Sequence, residues 1–214
     1  MVDLAIKAPI KARGANTQRI IDFVEKAVIL ALFLGLFSRI GATLGQRPFN
    51  ALLLLSDGIV VLMMVLRRRT EAVSQLPMDW VLAFAATAAP LMATGGGHQL
   101  VPDPVGYGMM AGGLFVSLYA KVALWRSFGL VAANRGVKRS GPYRVVRHPM
   151  YLGYTITQVG FVLLYPTPTN AALYGSAFLL QVWRLRAEEA LLSQDPAYAD
   201  YMTATRYRLI PGLF

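Results

Sequence analysis

Cysteine is absent from the 214-residue chain, and histidine occurs only twice. Without a thiol, the protein can form neither a disulfide framework nor a thiolate zinc site, and it cannot use a cysteine nucleophile. The two histidines, His98 and His148, are too few for an ordinary histidine zinc centre. We therefore expect no bound metal.

Charged residues are also scarce. They make up 15% of the chain, and 56% of the residues are hydrophobic, whereas soluble domains are about 25% charged and roughly 45–50% apolar. Apolar stretches recur along the chain at lengths close to the about 20 residues that a helix needs to cross a bilayer. The composition predicts an all-α, polytopic membrane helix bundle of about six transmembrane helices. The candidate spans are 22–40, 50–66, 78–94, 104–124, 150–166 and 169–184.

Acidic residues are few, so the chain carries a net charge of +10. In the six-span arrangement, all of the 21 lysine and arginine residues except Arg39 and Arg47 fall on one side of the membrane. Basic residues favour the cytoplasmic side, which predicts that both termini are cytoplasmic. Topology thus accounts for the positive charge, and we expect membrane lipids as partners and no nucleic acid. In a bacterium the location would be the inner, or cytoplasmic, membrane.

The polar residues divide the chain in two. Residues 1–120 hold four spans without an assignable role, in which Asp57 is either a functional carboxylate or a packing residue that hydrogen-bonds a neighbouring helix. Residues 121–214 contain a basic cytoplasmic loop, two spans, a C-terminal helix and a tail. We predict that this second part is the catalytic core. No glycine-rich phosphate loop of the GxGxxG type is present, which argues against a soluble-type nucleotide domain.

Residues 120–214 carry a family resemblance. The run from Gly141 to Gly153 contains an Arg-His-Pro-x-Tyr core, and the paired Glu188-Glu189, a Tyr-x-x-Tyr pair and a final Arg-Leu-Ile-Pro-Gly follow in order. This pattern resembles the isoprenylcysteine carboxyl methyltransferase family, whose relatives methylate phospholipid amines and small thiols. The resemblance implies S-adenosylmethionine as cofactor, bound in a cytoplasmic pocket between the Arg-His-Pro loops and the C-terminal helix.

The resemblance also implies particular site residues. From their chemistry rather than from the resemblance, Arg147 and Arg206 are the candidate catalytic residues. One departure leaves open which glutamate faces the pocket, because the segment from Ser193 to Ala197 differs from the family pattern. The implied cofactor contacts are Gly141, Tyr143, His148, Pro149, Tyr151, Leu152, Glu188 and Glu189.

The residue types suit the chemistry of methyl transfer from a sulfonium. An in-line displacement requires mainly that the two reactants be held in line. A glutamate can accept hydrogen bonds from ribose hydroxyls or an amine, and tyrosine rings can cover a purine or face a cationic sulfur. The fork of Arg147 can hold a carboxylate, and Arg206 or Arg208 can orient an anionic acceptor.

We therefore predict an S-adenosylmethionine-dependent methyltransferase. Its acceptor would be a lipophilic small molecule or a lipid-modified group, such as the carboxylate of an isoprenylcysteine. Three alternatives remain open. They are a phospholipid N- or thiol S-methyltransferase, an NADPH-dependent membrane reductase, and a non-catalytic polytopic membrane protein.

Overall fold

The computed structural model describes residues 15–41, 44, 49–67, 78, 80–81, 84–85, 92–129 and 134–214. Over these residues the chain is all-helical and contains no strand, as predicted. Two short 3₁₀ turns, Trp125–Ser127 and Gly141–Arg144, flank the loop that precedes the fourth helix. The α-helices are α1 (Ala15–Ile40), α2 (Phe49–Leu66), α3 (Asp103–Leu124), α4 (Pro149–Leu164), α5 (Pro168–Leu192) and α6 (Pro196–Ala204).

Proline marks the start of the four helices in the second half of the chain. Each of α3, α4, α5 and α6 has a proline at its first or second position, where the missing N–H costs no hydrogen bond. The ends of α2, α3 and α4 lie within two residues of the predicted spans, whereas α5 continues past its span to Leu192. Most of the predicted third span, 78–94, lies outside the described residues.

Glycines allow α3 and α4 to pack backbone against backbone. A Cβ atom added at Gly113 would lie 2.6 Å from the carbonyl oxygen of Gly153, and one added at Gly153 would lie 2.5 Å from the carbonyl oxygen of Gly113. Gly106 and Gly160 continue the same seam one further step along the two helices. Small residues of this kind are typical of close helix contacts in membranes. The seam fixes the position of the N-terminus of α4.

The outer surface is strongly apolar. Phe115 on α3 is 71% exposed and Leu179 on α5 is 69% exposed, and many other large hydrophobic side chains share this exposure. Within the described residues, one helical stretch, Asp103–Ser127, is long and apolar enough to cross a membrane, and Leu53–Leu66 is a shorter apolar helix. The number of spans and their orientation therefore stay predictions.

A buried lysine links α2, α3 and α4. The ammonium of Lys121 on α3 donates a hydrogen bond of 2.7 Å to the hydroxyl of Ser56 on α2. The same nitrogen lies 5.2 Å from the centre of the Tyr154 ring on α4. Asp57 is the half-buried neighbour of Ser56 on α2, and its role as a packing or functional carboxylate stays a prediction.

Candidate functional site

The C-terminal tail folds back onto the start of α4. The backbone N–H groups of Arg147 and His148 donate to the carbonyl oxygens of Tyr207 and Arg208, both at 2.9 Å. The side chain of Leu209 is buried in the hydrophobic core. These contacts hold the last residues of the chain against the Arg-His-Pro segment.

Glu189 is the charged centre of this junction. One of its carboxylate oxygens lies 2.6 Å from Nε of Arg147 and 3.1 Å from Nε2 of His148, and the other lies 2.7 Å from Nε of Arg208. Burial by itself would raise the pKa of Glu189. The hydrogen bonds from His148 and Arg147, with that from Arg208, outweigh burial and lower this pKa to about 2.

The guanidinium of Arg147 is already engaged. Besides its bond to Glu189, Nη1 donates to the carbonyl oxygens of Thr205 and Arg206 at 3.0 and 2.8 Å. Arg147 therefore ties α5 and the tail to α4. These bonds occupy some of the guanidinium N–H groups of Arg147 that the sequence analysis predicted to bind a carboxylate ligand. The catalytic role of Arg147 stays a prediction.

A loop of residues 134–140 is fastened to α6. The side-chain amide of Asn134 donates to the carboxylate of Asp195 at 2.8 Å, and the guanidinium of Arg139 donates to the carbonyl oxygen of Ala197. Asp195 also caps α6 by accepting from the N–H of Ala197 at 2.9 Å. The segment that departs from the family pattern is therefore the start of a capped helix.

A cleft, partly open to solvent, lies between this loop and helices α3 to α6. Its wall includes one carboxylate, Glu188, which accepts a hydrogen bond of 2.6 Å from the hydroxyl of Tyr151 and pairs with Arg184 at 3.3 Å. Apolar and aromatic side chains form much of the rest. The lining residues are Leu124, Ser127, Gly129, Arg135, Gly136, Val137, Lys138, Tyr143, Arg147, His148, Met150, Tyr151, Glu188, Leu192, Tyr198 and Tyr201.

The structure brings about half of the predicted site residues into the cleft wall: Tyr143, Arg147, His148, Tyr151 and Glu188. The others lie elsewhere, and the side chain of Arg206 is exposed. Those that do not line the cleft are Gly141, Pro149, Leu152, Glu189 and Arg206. Of the two glutamates, Glu188 faces the cleft, and Glu189 lies among its three basic partners.

Two buried polar atoms of cleft-lining residues have no hydrogen-bond partner within the described part of the chain, namely Nε of Arg135 and the hydroxyl of Tyr198. The sequence analysis assigned Arg135 no role beyond its positive charge. Its one local signal is the turn from Asn134 to Gly136, in which the side-chain oxygen of Asn134 accepts from the N–H of Gly136 at 3.0 Å.

The tyrosines of the site are neutral. Burial raises the pKa of Tyr143 and of Tyr198 well above the usual value, and it raises the pKa of Tyr201 to about 12. The hydroxyl of Tyr201 donates to the carbonyl oxygen of Tyr143 at 2.6 Å. The hydroxyl of Tyr198, a residue of the cleft wall, is therefore a protonated donor.

Residues 103–198 match the family model of phospholipid methyltransferases. The match spans somewhat less than half of the chain, and it runs from the first residue of α3 into α6. It includes all the cleft-lining residues except Tyr201. The match supports a membrane methyltransferase in general. It does not distinguish the isoprenylcysteine subfamily, which stays a prediction.

No curated protein and no solved structure matches the chain. The family match begins at Asp103 and so includes α3. The sequence analysis had placed most of this helix in the N-terminal part, residues 1–120. The glycine seam between α3 and α4 gives a physical reason for this extent, because α4 is positioned by α3.

Proposed function

We propose that this protein is an integral membrane methyltransferase that uses S-adenosylmethionine to methylate a lipophilic acceptor. The observation that carries the proposal is the cleft, which lies almost entirely within the matched residues and contains a glutamate beside several tyrosines. Methyltransferase chemistry requires a site that binds a nucleoside and an amino-acid group together. The wall of this cleft offers partners for both.

The chemistry of the wall fits that donor. Leu124, Met150 and Leu192 supply apolar surface, and the rings of Tyr143 and Tyr151 can stack on a purine or face a cation. Glu188 is an acceptor for hydroxyl or ammonium groups. When bound, S-adenosylmethionine supplies a methyl group on a positively charged sulfur.

The residues of the chain then have distinct tasks. Tyr151 donates to Glu188 and thereby fixes the direction of its carboxylate. His148 is buried between the two glutamates, with Nδ1 3.9 Å from Glu188 and Nε2 3.1 Å from Glu189. Because the tail is tied to this segment through Arg147 and Arg208, the site is assembled only when the C-terminus is in place. Such prior ordering reduces the entropy that binding must otherwise cost.

A phospholipid amine is the acceptor that the description of the matched family favours. The carboxylate of an isoprenylcysteine and a small thiol are further acceptors of the same lipophilic kind. The outer faces of the helices are apolar, so an acceptor can approach the cleft from the lipid side.

The test is calorimetry of the full-length protein in detergent, titrated with S-adenosylhomocysteine and, separately, with NADPH. We expect S-adenosylhomocysteine to bind and NADPH not to bind. Glu188→Gln should weaken S-adenosylhomocysteine binding about tenfold or more, because a charged acceptor in the cleft wall is lost. Asp200→Asn is the matched control, since Asp200 is an exposed acid on α6.

Binding of NADPH alone would overturn the proposal in favour of a membrane reductase. If neither compound binds to folded protein, the non-catalytic alternative gains support. Equal affinity of the wild type and Glu188→Gln for S-adenosylhomocysteine would leave a methyltransferase but remove Glu188 from the site.

A further inference from the structure

Arg135 is a buried cation whose Nε has no hydrogen-bond partner among the described residues. Only 8% of the residue is exposed, and Nε has no partner although it lies in the wall of the cleft. The guanidinium lies against the backbone of Gly129, where an added Cβ would be 2.1 Å from Nη1. The carbonyl oxygen of Arg135 accepts from the hydroxyl of Ser127 at 3.0 Å, so the backbone of this cleft-lining residue is held in place.

An unpaired charge in such a position needs an explanation. Removal of a guanidinium from water is costly unless a counter-charge and hydrogen bonds replace the lost solvation. Burial lowers the pKa of Arg135 to about 10, with the charge of Arg67 acting in the same direction and those of Glu25, Asp22 and Glu188 opposing it. Those carboxylates act over a distance, and within the described residues none forms an ion pair with Arg135.

The neighbouring wall supplies a second group of the same kind. Tyr198, which is 4% exposed, also lines the cleft, and its hydroxyl has no hydrogen-bond partner among the described residues. A guanidinium fork and a phenol hydroxyl are both hydrogen-bond donors, and a carboxylate accepts from several donors at once. The two unsatisfied donors therefore match one oxyanion.

We propose that Arg135, assisted by Tyr198, binds the carboxylate of the amino-acid end of the methyl donor. This inference rests on the proposed function. Glu188, the carboxylate in the wall of the same cleft, is the complementary partner for the ammonium or the ribose hydroxyls. The cleft then has one anionic and one cationic anchor, as a zwitterionic amino acid requires. Arg135 takes the task that the sequence assigned to Arg147, whose guanidinium is engaged with Glu189 and the tail.

Two ligands distinguish binding of the carboxylate by Arg135 from a general disturbance of the cleft. S-adenosylhomocysteine carries the amino-acid end, whereas 5′-methylthioadenosine has the same purine, ribose and thioether without it. In calorimetry with the full-length protein, Arg135→Met should weaken S-adenosylhomocysteine binding about tenfold or more and leave 5′-methylthioadenosine binding unchanged. Arg135→Lys should fall between, because it keeps the charge and loses the fork.

Arg144→Met is the control, since it removes an exposed cation from the same segment and should change neither affinity. The melting temperature of unliganded Arg135→Met should not fall, because no ion pair of the described structure is broken. The inference is overturned if Arg135→Met binds S-adenosylhomocysteine like the wild type, as it would if Arg135 held an anion of the acceptor. It is also overturned if both ligands lose affinity equally. If the wild type does not bind S-adenosylhomocysteine, the proposed function itself fails, whether or not the wild type binds 5′-methylthioadenosine.

Discussion

Two adjacent glutamates on one turn of α5 meet very different surroundings. Glu188 faces the cleft and keeps acceptor capacity beyond its bonds to Tyr151 and Arg184. Glu189 is surrounded by Arg147, His148 and Arg208. Successive residues on a helix point about 100° apart, so the two neighbouring carboxylates face different surroundings.

The charge of Glu189 should make stability depend on pH. Its pKa is about 2 in the folded protein, against an ordinary value of 4.5. A carboxyl group whose pKa is lowered by folding stabilises the protein fully above the ordinary value, and this stabilisation is lost as the pH falls towards the folded value. The melting temperature in detergent should therefore fall as the pH is lowered from about 5 to about 3.

Glu189→Gln tests the origin of that dependence. The variant should be destabilised at neutral pH by roughly 3 kcal/mol, because buried Arg147 loses its counter-charge. Its melting temperature should vary less between pH 5 and pH 3 than that of the wild type. An equal slope in both proteins would show that other carboxyl groups cause the acid sensitivity.

At the scale of elements, the contact between α3 and α4 places the site. The seam of Gly106, Gly113, Gly153 and Gly160 brings two backbones together, and α4 begins at Pro149, directly after His148. A shift of α4 would therefore move the Arg-His-Pro segment and the wall of the cleft. The positions of the residues in the cleft wall therefore depend on the contact between α3 and α4.

Gly153→Ala should weaken both the contact between α3 and α4 and the binding of ligand in the cleft. Its methyl group would meet the carbonyl oxygen of Gly113 and the N–H of Ser117, each at 2.5 Å, and backbone atoms cannot move aside as a flexible side chain can. Overpacking of this kind costs about 1–3 kcal/mol. We expect a lower melting temperature together with weaker S-adenosylhomocysteine binding.

Gly112→Ala is the matched control on α3. An added Cβ at Gly112 has no atom within 4 Å, and alanine favours a helix over glycine by up to about 1 kcal/mol. Its melting temperature should be unchanged or slightly higher. If Gly153→Ala behaves in the same way as Gly112→Ala, the seam does not hold α3 and α4 together.

The whole molecule combines an apolar outside with a basic end. Phe115 and Leu179 are examples of exposed apolar side chains on helices, and the cleft lies beside the basic loop at 134–140 and the tail. We expect this arrangement to place the cleft at the cytoplasmic surface of a bilayer, because lysine and arginine favour that side. The six-span topology is a prediction that biochemical mapping can settle.

Reporter fusions provide that map. Fusions after residues 45, 98 and 167 should report the external side, and fusions after residues 70, 135 and 214 should report the cytoplasm, because the basic residues cluster near the second set. A cytoplasmic signal after residue 98 would rule out six spans.

The sequence by itself determined the helical class, the bounds of α2, α3 and α4, and the segments that line the candidate cleft. The lengths of the apolar stretches and the order of short motifs are local signals, and they survive folding unchanged. His148, Tyr151 and Glu188 were predicted as cofactor contacts in this way because each belongs to a motif, and all three line the cleft.

Only the tertiary structure decided how these residues divide their tasks. The choice between Glu188 and Glu189 depends on the rotation of α5 relative to a tail that lies 19 residues further along at Arg208. The engagement of Arg147 and the unsatisfied Nε of Arg135 in the described structure depend equally on contacts between distant segments. The sequence does not show whether a charged side chain forms an ion pair, because the fold brings the two partners together.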